Sequence, residues 1–206
     1  MHLICRWRYV RRFARAARCD KRRINLATAS TLAHLPSTIN LGSGTDFRAD
    51  CFNIDVQSSV NPDLVLDITK LTWGAGVRTQ RFAPFQWEKD RWDRILANDV
   101  LEHIPDLVAA MTICKDLLKP NGEMHINVPY DLSLGAWQDP THVRAFNENS
   151  WLYYTDWHCY LGWHNRFDLT HPEYVLSDYG RSLRQDDDVR RTPRAVVAMR
   201  VILKKR

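Results

Sequence analysis

The chain has 206 residues, enough for one domain with a sizeable core, and its 45% hydrophobic and 26% charged residues are ordinary for a globular protein. No apolar run approaches the roughly 20 residues that span a bilayer. The five scattered cysteines, at 5, 19, 51, 114 and 159, include no CxxC pair, which argues against a disulfide framework or a zinc knuckle and for reduced thiols in a cytoplasmic protein. The net charge of +5 is uneven: residues 1–23 hold nine Lys/Arg against Asp20, a net +8, so the remainder of the chain is −3.

Residues 1–23 therefore read as a basic arm in front of a domain spanning 24–206. Leu3, Trp7, Val10, Ala14 and Ala17 recur at spacings of three and four, which predicts an amphipathic helix over 3–18. Four readings of the arm stand: packing on the domain, lying on an anionic membrane surface, tracking nucleic-acid phosphates, or serving as a targeting segment.

From residue 37 the pattern becomes that of strands. Thr38–Leu41 is followed by a Gly-Ser-Gly turn, Phe52–Val56 is a second strand, and Leu64–Leu66 a short third one after Asn61-Pro62. Residues 73–90 read as irregular. Trp92–Ala97 is a fourth strand, and Ile104–Leu118 has helical spacing up to the stop signal Lys119-Pro120-Asn121-Gly122. Glu123–Val128 is a fifth strand. An aromatic-rich insertion without strands covers about 130–164. Phe167–Leu176 and Ala195–Leu203 close the chain as two strands joined by the charged loop RQDDDVRR. Strand, turn and helix alternation through residue 128 predicts an α/β protein with a doubly wound, mostly parallel sheet and a hairpin-like end.

Four consecutive strands end in small or polar residues, at the edge where open α/β sheets bind ligands. Gly42 and Gly44 let the backbone turn sharply. The position where GxGxxG would have its third glycine is Phe47, so a dinucleotide pyrophosphate on a helix N-terminus is disfavoured, and a nicotinamide oxidoreductase with it. Asp55 ends the second strand, where a carboxylate can accept from two ribose hydroxyls. Asp67 and Ile68 end the third, offering an acceptor for an amino group beside an apolar surface. Asn98 and Asp99 end the fourth.

The segments INLGSG, NIDV, LDIT, LANDVLEHI and LKPNGEMHINVPY resemble class I S-adenosylmethionine-dependent methyltransferases, in particular the small type-11-like group whose fourth strand runs into a VLEH segment. The resemblance covers about residues 38–130. It implies a Rossmann-like, seven-stranded methyltransferase fold with an antiparallel last strand and S-adenosyl-L-methionine as cofactor. It further implies a cofactor site built from Asn40, Gly42, Ser43, Gly44, Asp55, Val56, Asp67, Ile68, Asn98 and Asp99. The glycines would form the floor under the methionine part, Asp55 would bind the ribose, Asp67 and Ile68 would frame the adenine, and Asn98 would act through its backbone. The chain departs from the family at Asn40, where an acid is common two residues before the first glycine.

The methyl acceptor in such a fold lies beyond the fourth and fifth strands. Glu102-His103 falls there, with His103 either a structural or cofactor-shell residue or a general base. So does Tyr130, followed by DPTHVRAF at 139–146. The resemblance extends to methyltransferases of sugar and cell-envelope pathways, which carry a similar PTH-type loop. In that loop His142 is the candidate base, Arg144 pairs with an acidic or phosphorylated acceptor, and Asp139 contacts substrate; a loop staple bonded to backbone is the competing reading of His142 and Asp139. The aromatics from Trp137 to Trp163 either cover the pocket or form a satellite core. His158, His164 and His171 lack metal-ligand spacing to cysteines, so no metal is expected.

The function expected is methylation of a hydroxyl on a small molecule or cell-envelope glycan by a cytoplasmic enzyme, with the arm a candidate for peripheral contact with an anionic membrane or nucleic acid. Alternatives are an RNA or protein methyltransferase recruited by the arm, whose binding would weaken steeply with salt, and a non-catalytic module that binds the cofactor.

Overall fold

A computed structural model describes residues 33–183 and 186–206. The basic arm and its expected helix lie outside the described residues.

In chain order the elements are β1 (Thr38–Leu41), β2 (Phe52–Asp55), β3 (Leu64–Val65), β4 (Gly76–Val77), β5 (Phe85–Gln86), β6 (Trp92–Asn98), α1 (Leu107–Leu117), β7 (Leu118–Pro129), α2 (Gly135–Gln138), β8 (Phe167–Leu169), β9 (Glu173–Leu176), α3 (Asp178–Ser182), α4 (Asp186–Arg191) and β10 (Val196–Lys205). The main sheet has the order β3-β2-β1-β6-β7-β10-β8, with β9 also on β10. β3, β2, β1, β6 and β7 are parallel. β10 is antiparallel to β7, β8 and β9. This is the expected Rossmann-like methyltransferase sheet with its last strand reversed.

Every residue of β2 and three of the four in β1 are buried, as parallel strands covered on both faces should be. One cover comes from the 73–90 segment. This segment is not wholly irregular, since β4 and β5 pair antiparallel. Phe85 and Trp87 from this segment meet Phe52 and Trp92 of the sheet with ring centroids 5.3–6.3 Å apart. Such tilted and edge-on pairs add about 0.5–1.5 kcal/mol each beyond area burial.

Four other expectations shift for local reasons. The helix begins at Leu107, not Ile104, because Pro105 precedes it and the Asp106 carboxylate caps it by accepting from the Ala109 N–H at 2.9 Å. The stop signal sits inside β7: the chain turns at Asn121 (φ +67°), and pairing slips from Trp92–Leu118 to Arg94–Glu123. The expected strand 167–176 breaks into β8 and β9 around Pro172, which has no N–H to give a ladder. The expected loop RQDDDVRR contains α4.

Helix α1 buries Leu107, Ala110, Met111, Cys114 and Leu117. The aromatic insertion divides in two. Phe146, Trp151, Tyr154 and Trp163 belong to the core, Phe146 and Trp151 being stacked at 5.4 Å, and the Trp163 indole N–H donates to Thr112 Oγ1 at 3.0 Å on α1. Tyr153, Trp157 and Tyr160 form an exposed edge-to-face group instead. No helix among the described residues is long and apolar enough to cross a membrane.

Candidate functional site

The ten residues between β1 and β2 connect two parallel strands without a helix, and a buried amide network stands in for one. Asn40 on β1 is 2% exposed. Its amide donates to the Asp46 carbonyl at 2.8 Å and to Asn53 Oδ1 at 3.0 Å. Asn53 on β2 also accepts from the Arg48 N–H and donates to the carbonyls of Arg48 and Cys51 and to Asp63. Both amide hydrogens of Asn40 face acceptors, which is why an acid does not occupy this position. Asn40 thus shapes the glycine loop from inside.

Gly42 (φ +61°) lies against Val100, and a Cβ there would collide with that side chain. Gly44 (φ +46°) faces open space, with nothing nearer an added Cβ than its own loop at 3.9 Å. Ser43 Oγ is buried without a hydrogen-bond partner. Asp55 holds the loop: Oδ2 accepts from the Gly44 N–H and Oδ1 from the Gln57 N–H, both at 2.8 Å. A carboxylate has about four acceptor positions, so two backbone bonds leave Asp55 able to take ribose hydroxyls. Val56 beside it is exposed. Open Gly44, unfilled Ser43 and half-used Asp55 fit the cofactor that the resemblance implies.

Asp67 is exposed and caps a 3-10 turn, its Oδ1 accepting from Thr69 N–H and Oγ1. Ile68 is buried in the core rather than offered to a ring. Asn98 and Asp99 are exposed at the end of β6. Asp99 takes a left-handed conformation (φ +51°), which Asp tolerates better than most residues. It is tied to β7 twice: its N–H donates to the Asn127 carbonyl at 2.8 Å, and Oδ1 accepts from the Asn127 amide at 2.9 Å. Partial desolvation pushes the Asp99 carboxyl above the ordinary carboxylate range.

Beyond Asp99 the chain turns through Leu101–His103 and meets the 139–146 loop. The Val143 N–H donates to the Glu102 carbonyl at 2.9 Å, and Arg144 Nη2 donates to the Pro105 carbonyl at 2.7 Å. Arg144 is thereby an anchor of the loop. His103 and His142 lie edge to face, 4.6 Å between ring centroids. His142 Nδ1 is 3.0 Å from the Ala136 carbonyl, which can only accept, so Nδ1 carries the proton. Thr141 Oγ1 gives its one hydrogen to Asp139 Oδ1 at 2.7 Å and must accept from His103 Nδ1 at 2.9 Å. In both rings Nε2 is then the nitrogen with a free lone pair. Asp139 is exposed, and its hydrogen bonds from Thr141 hold its carboxyl below the usual range.

Glu102 shares this corner. It is 1% exposed, and neither carboxylate oxygen has a hydrogen-bond partner. Burial pushes its carboxyl up to about 7; the nearby N–H of its own backbone opposes this without forming a well-shaped bond. Tyr130 departs from the substrate-contact expectation. Its ring is buried, and its hydroxyl donates to Glu148 Oε2 at 2.8 Å. That engages the hydroxyl in the interior, and burial pushes it above the ordinary phenol range.

Sequence reasoning noticed Glu102 only as the neighbour of His103, and it missed Asn53 and Thr141. An asparagine between Phe52 and Ile54 in an apolar strand was the available signal for the first of these two. Nothing local to Thr141 announces its bond to His103, 38 residues away. Two surface concavities, one lined by Leu35, Ser37 and Lys119 and the other by Val77, Phe85 and Gln86, include none of these strand-end residues.

A methyltransferase-domain family matches residues 42–180, about two thirds of the chain. The protein belongs to this family, the class I S-adenosylmethionine-dependent methyltransferases, and is an enzyme by that membership. Its fold is shared with a SAM-dependent methyltransferase from Archaeoglobus fulgidus (14% identity, 83% of this chain and 86% of that one, TM-score 0.58). An S-adenosylmethionine-dependent methyltransferase from Mesorhizobium loti is similar (13%, 84% and 92%, TM-score 0.52). The [4+2]-cyclase SpnF is as similar in shape (13%, 84% and 76%, TM-score 0.52), so the fold by itself does not fix the reaction. No curated protein matches the chain.

Proposed function

We propose that the protein transfers the methyl group of S-adenosyl-L-methionine to a hydroxyl of a small molecule or glycan. The cofactor supplies an already activated methyl on sulfonium. Asp55, with acceptor positions to spare, is the group for the ribose hydroxyls, beside Val56. Gly44 leaves room for close approach of the methionine part. Asn98 and Asp99 border the same strand ends, and Asp67 is available at the far side of the cleft.

The observation that carries the acceptor assignment is the pair of imidazoles at the end of β6. Each is fixed through Nδ1–H, to Ala136 or to Thr141, and each keeps a lone pair on Nε2. An oxygen acceptor needs its proton removed as the new bond forms, whereas a neutral amine is already nucleophilic. Two oriented imidazoles therefore support an oxygen acceptor. His142 is the candidate base and His103 its neighbour. Arg144 and Asp139 set the loop that carries His142. The arm of residues 1–23, at net +8, is the segment that would meet an anionic membrane or nucleic acid.

The test is S-adenosylhomocysteine release across a panel of hydroxylated small molecules and sugars. His142→Ala should lower turnover about 100-fold with cofactor affinity kept. Full activity in the variant would remove the base assignment.

A further inference from the structure

Among the described residues one group of His, Cys, Asp or Glu side chains brings three ligand atoms within 4.8 Å of one another: Glu102, His103 and His142. We propose that these three residues hold one divalent transition-metal cation at the acceptor side of the cleft. The proposal rests on the reading of that cleft as a methyl-transfer site, and it names how the acceptor oxygen is activated there.

Three observations converge. First, the Glu102 carboxylate is buried with both oxygens unpartnered. A buried ionised group without a partner is costly, and a cation is the partner that would satisfy it. Second, neither histidine bonds to Glu102. Each instead donates Nδ1–H outward, one to a backbone carbonyl and one to the Thr141–Asp139 pair. Metal-bound histidines are characteristically oriented in this way by an outer carbonyl or carboxylate, which leaves the second nitrogen as ligand. Third, the two segments are locked together by the Val143 N–H to Glu102 carbonyl bond and by Arg144 on Pro105, so the group is assembled by backbone contacts rather than by chance approach of long side chains.

The geometry needs little adjustment. Ligands about 2.1 Å from one centre lie at most about 4.2 Å apart, and the three residues already offer atoms within 4.8 Å of one another. Two imidazoles with one carboxylate suit manganese, iron, cobalt, nickel or zinc better than magnesium or calcium, which favour all-oxygen sets. Three protein ligands leave coordination positions open to an acceptor hydroxyl, whose acidity the cation raises. The O–H bond then breaks with its proton passing to solvent. The O–CH3 bond forms as the donor's C–S bond breaks, and sulfur keeps that electron pair. With Nε2 of His142 on the cation, the cation replaces His142 as the group that makes the hydroxyl acidic, and the base role proposed for His142 is that of the cation-free site. The expectation of no metal came from testing histidines against cysteines; the group found here uses a carboxylate and joins residues 39 positions apart.

The experiment is titration of the untagged full chain with Co2+, followed by its visible absorption and by competition with Mn2+. The expected result is one equivalent bound, with Glu102→Gln and His142→Ala each weakening binding at least tenfold. Thr141→Val, which keeps all three ligands, should weaken it about tenfold through lost orientation. His164→Ala at an exposed position should change nothing. S-adenosylhomocysteine affinity, measured on the same samples, reports the fold and the methyl-transfer reading separately. Absence of Co2+ binding, or a signal that survives Glu102→Gln, His142→Ala and Thr141→Val, would overturn the cation site even if the cofactor binds. Co2+ binding that depends on these residues, with no cofactor binding, would keep the site and remove the methyl-transfer reading.

Discussion

At the glycine loop, both amide hydrogens of buried Asn40 meet acceptors, Asn53 is bonded from both ends, and the Asp55 carboxylate holds two backbone N–H groups. At the end of β6, some 50 residues later in the chain, Glu102 is equally buried and its two oxygens have none. The first region uses polar groups to build backbone shape in place of a helix. The second keeps polar groups in reserve. A satisfied buried network tells where the architecture is finished, whereas an unsatisfied one beside oriented histidines marks where a ligand completes it. Apart from the unpartnered Ser43 hydroxyl, the glycine loop is therefore preformed by its own hydrogen bonds, and the corner at the end of β6 is not.

The contrast can be broken most forcefully at Asn40. Asn40→Asp restores the acid common in the family, but it sets carboxylate oxygens against the Asp46 carbonyl and Asn53 Oδ1 with no hydrogen to give. The new carboxylate is an uncompensated buried charge facing two acceptors, for about 4 kcal/mol of stability, and the thermal midpoint should fall by roughly 10 °C. An unchanged midpoint would mean that the network does not shape the loop.

The complementary change is Glu102→Gln, followed against pH with chelator present. The folded carboxyl titrates near 7, above its ordinary 4.5, because of burial; Asp99, Asp139 and His142 also act on it. Between those two values the unfolded chain has lost this proton while the folded chain still holds it, so stability falls as pH rises through the window and levels off above it. The wild type should lose about 3 kcal/mol across this range, and the glutamine variant should lack that component. Parallel pH profiles for the two proteins would contradict the account of Glu102.

A smaller effect sharpens the boundary of the insertion. Trp163→Phe keeps an aromatic ring on α1 and removes the N–H donated to Thr112, for about 1 kcal/mol in chemical denaturation. A loss several times larger would show that the insertion's docking on α1 depends on that bond more than on packing.

Much of the sheet was legible because the parallel strands are short apolar runs ending in Gly, Asp or Asn, and that pattern survives without knowledge of neighbours. The five parallel strands fell close to their expected bounds. What failed was set by partners distant in sequence. The turn at Asn121 became part of β7 because Gly122 fits against the carbonyls of Lys119, Trp92 and Asp93. Asn40 read as a weakened cofactor residue because Asn53, its partner, is visible only once β1 and β2 pair. Tyr130 read as a substrate contact because nothing near it in sequence announces Glu148. Glu102 and His142 are joined by a loop whose course no periodicity describes.

The central claim is a class I cofactor site with Asp55 at the ribose. Its most direct test is calorimetric titration of S-adenosylmethionine and S-adenosylhomocysteine into the wild type and Asp55→Ala, with the thermal midpoint of each protein recorded. The account predicts micromolar binding to the wild type and binding at least tenfold weaker in a variant that remains folded. Equal affinity in the two proteins, or no binding to the wild type, would contradict it.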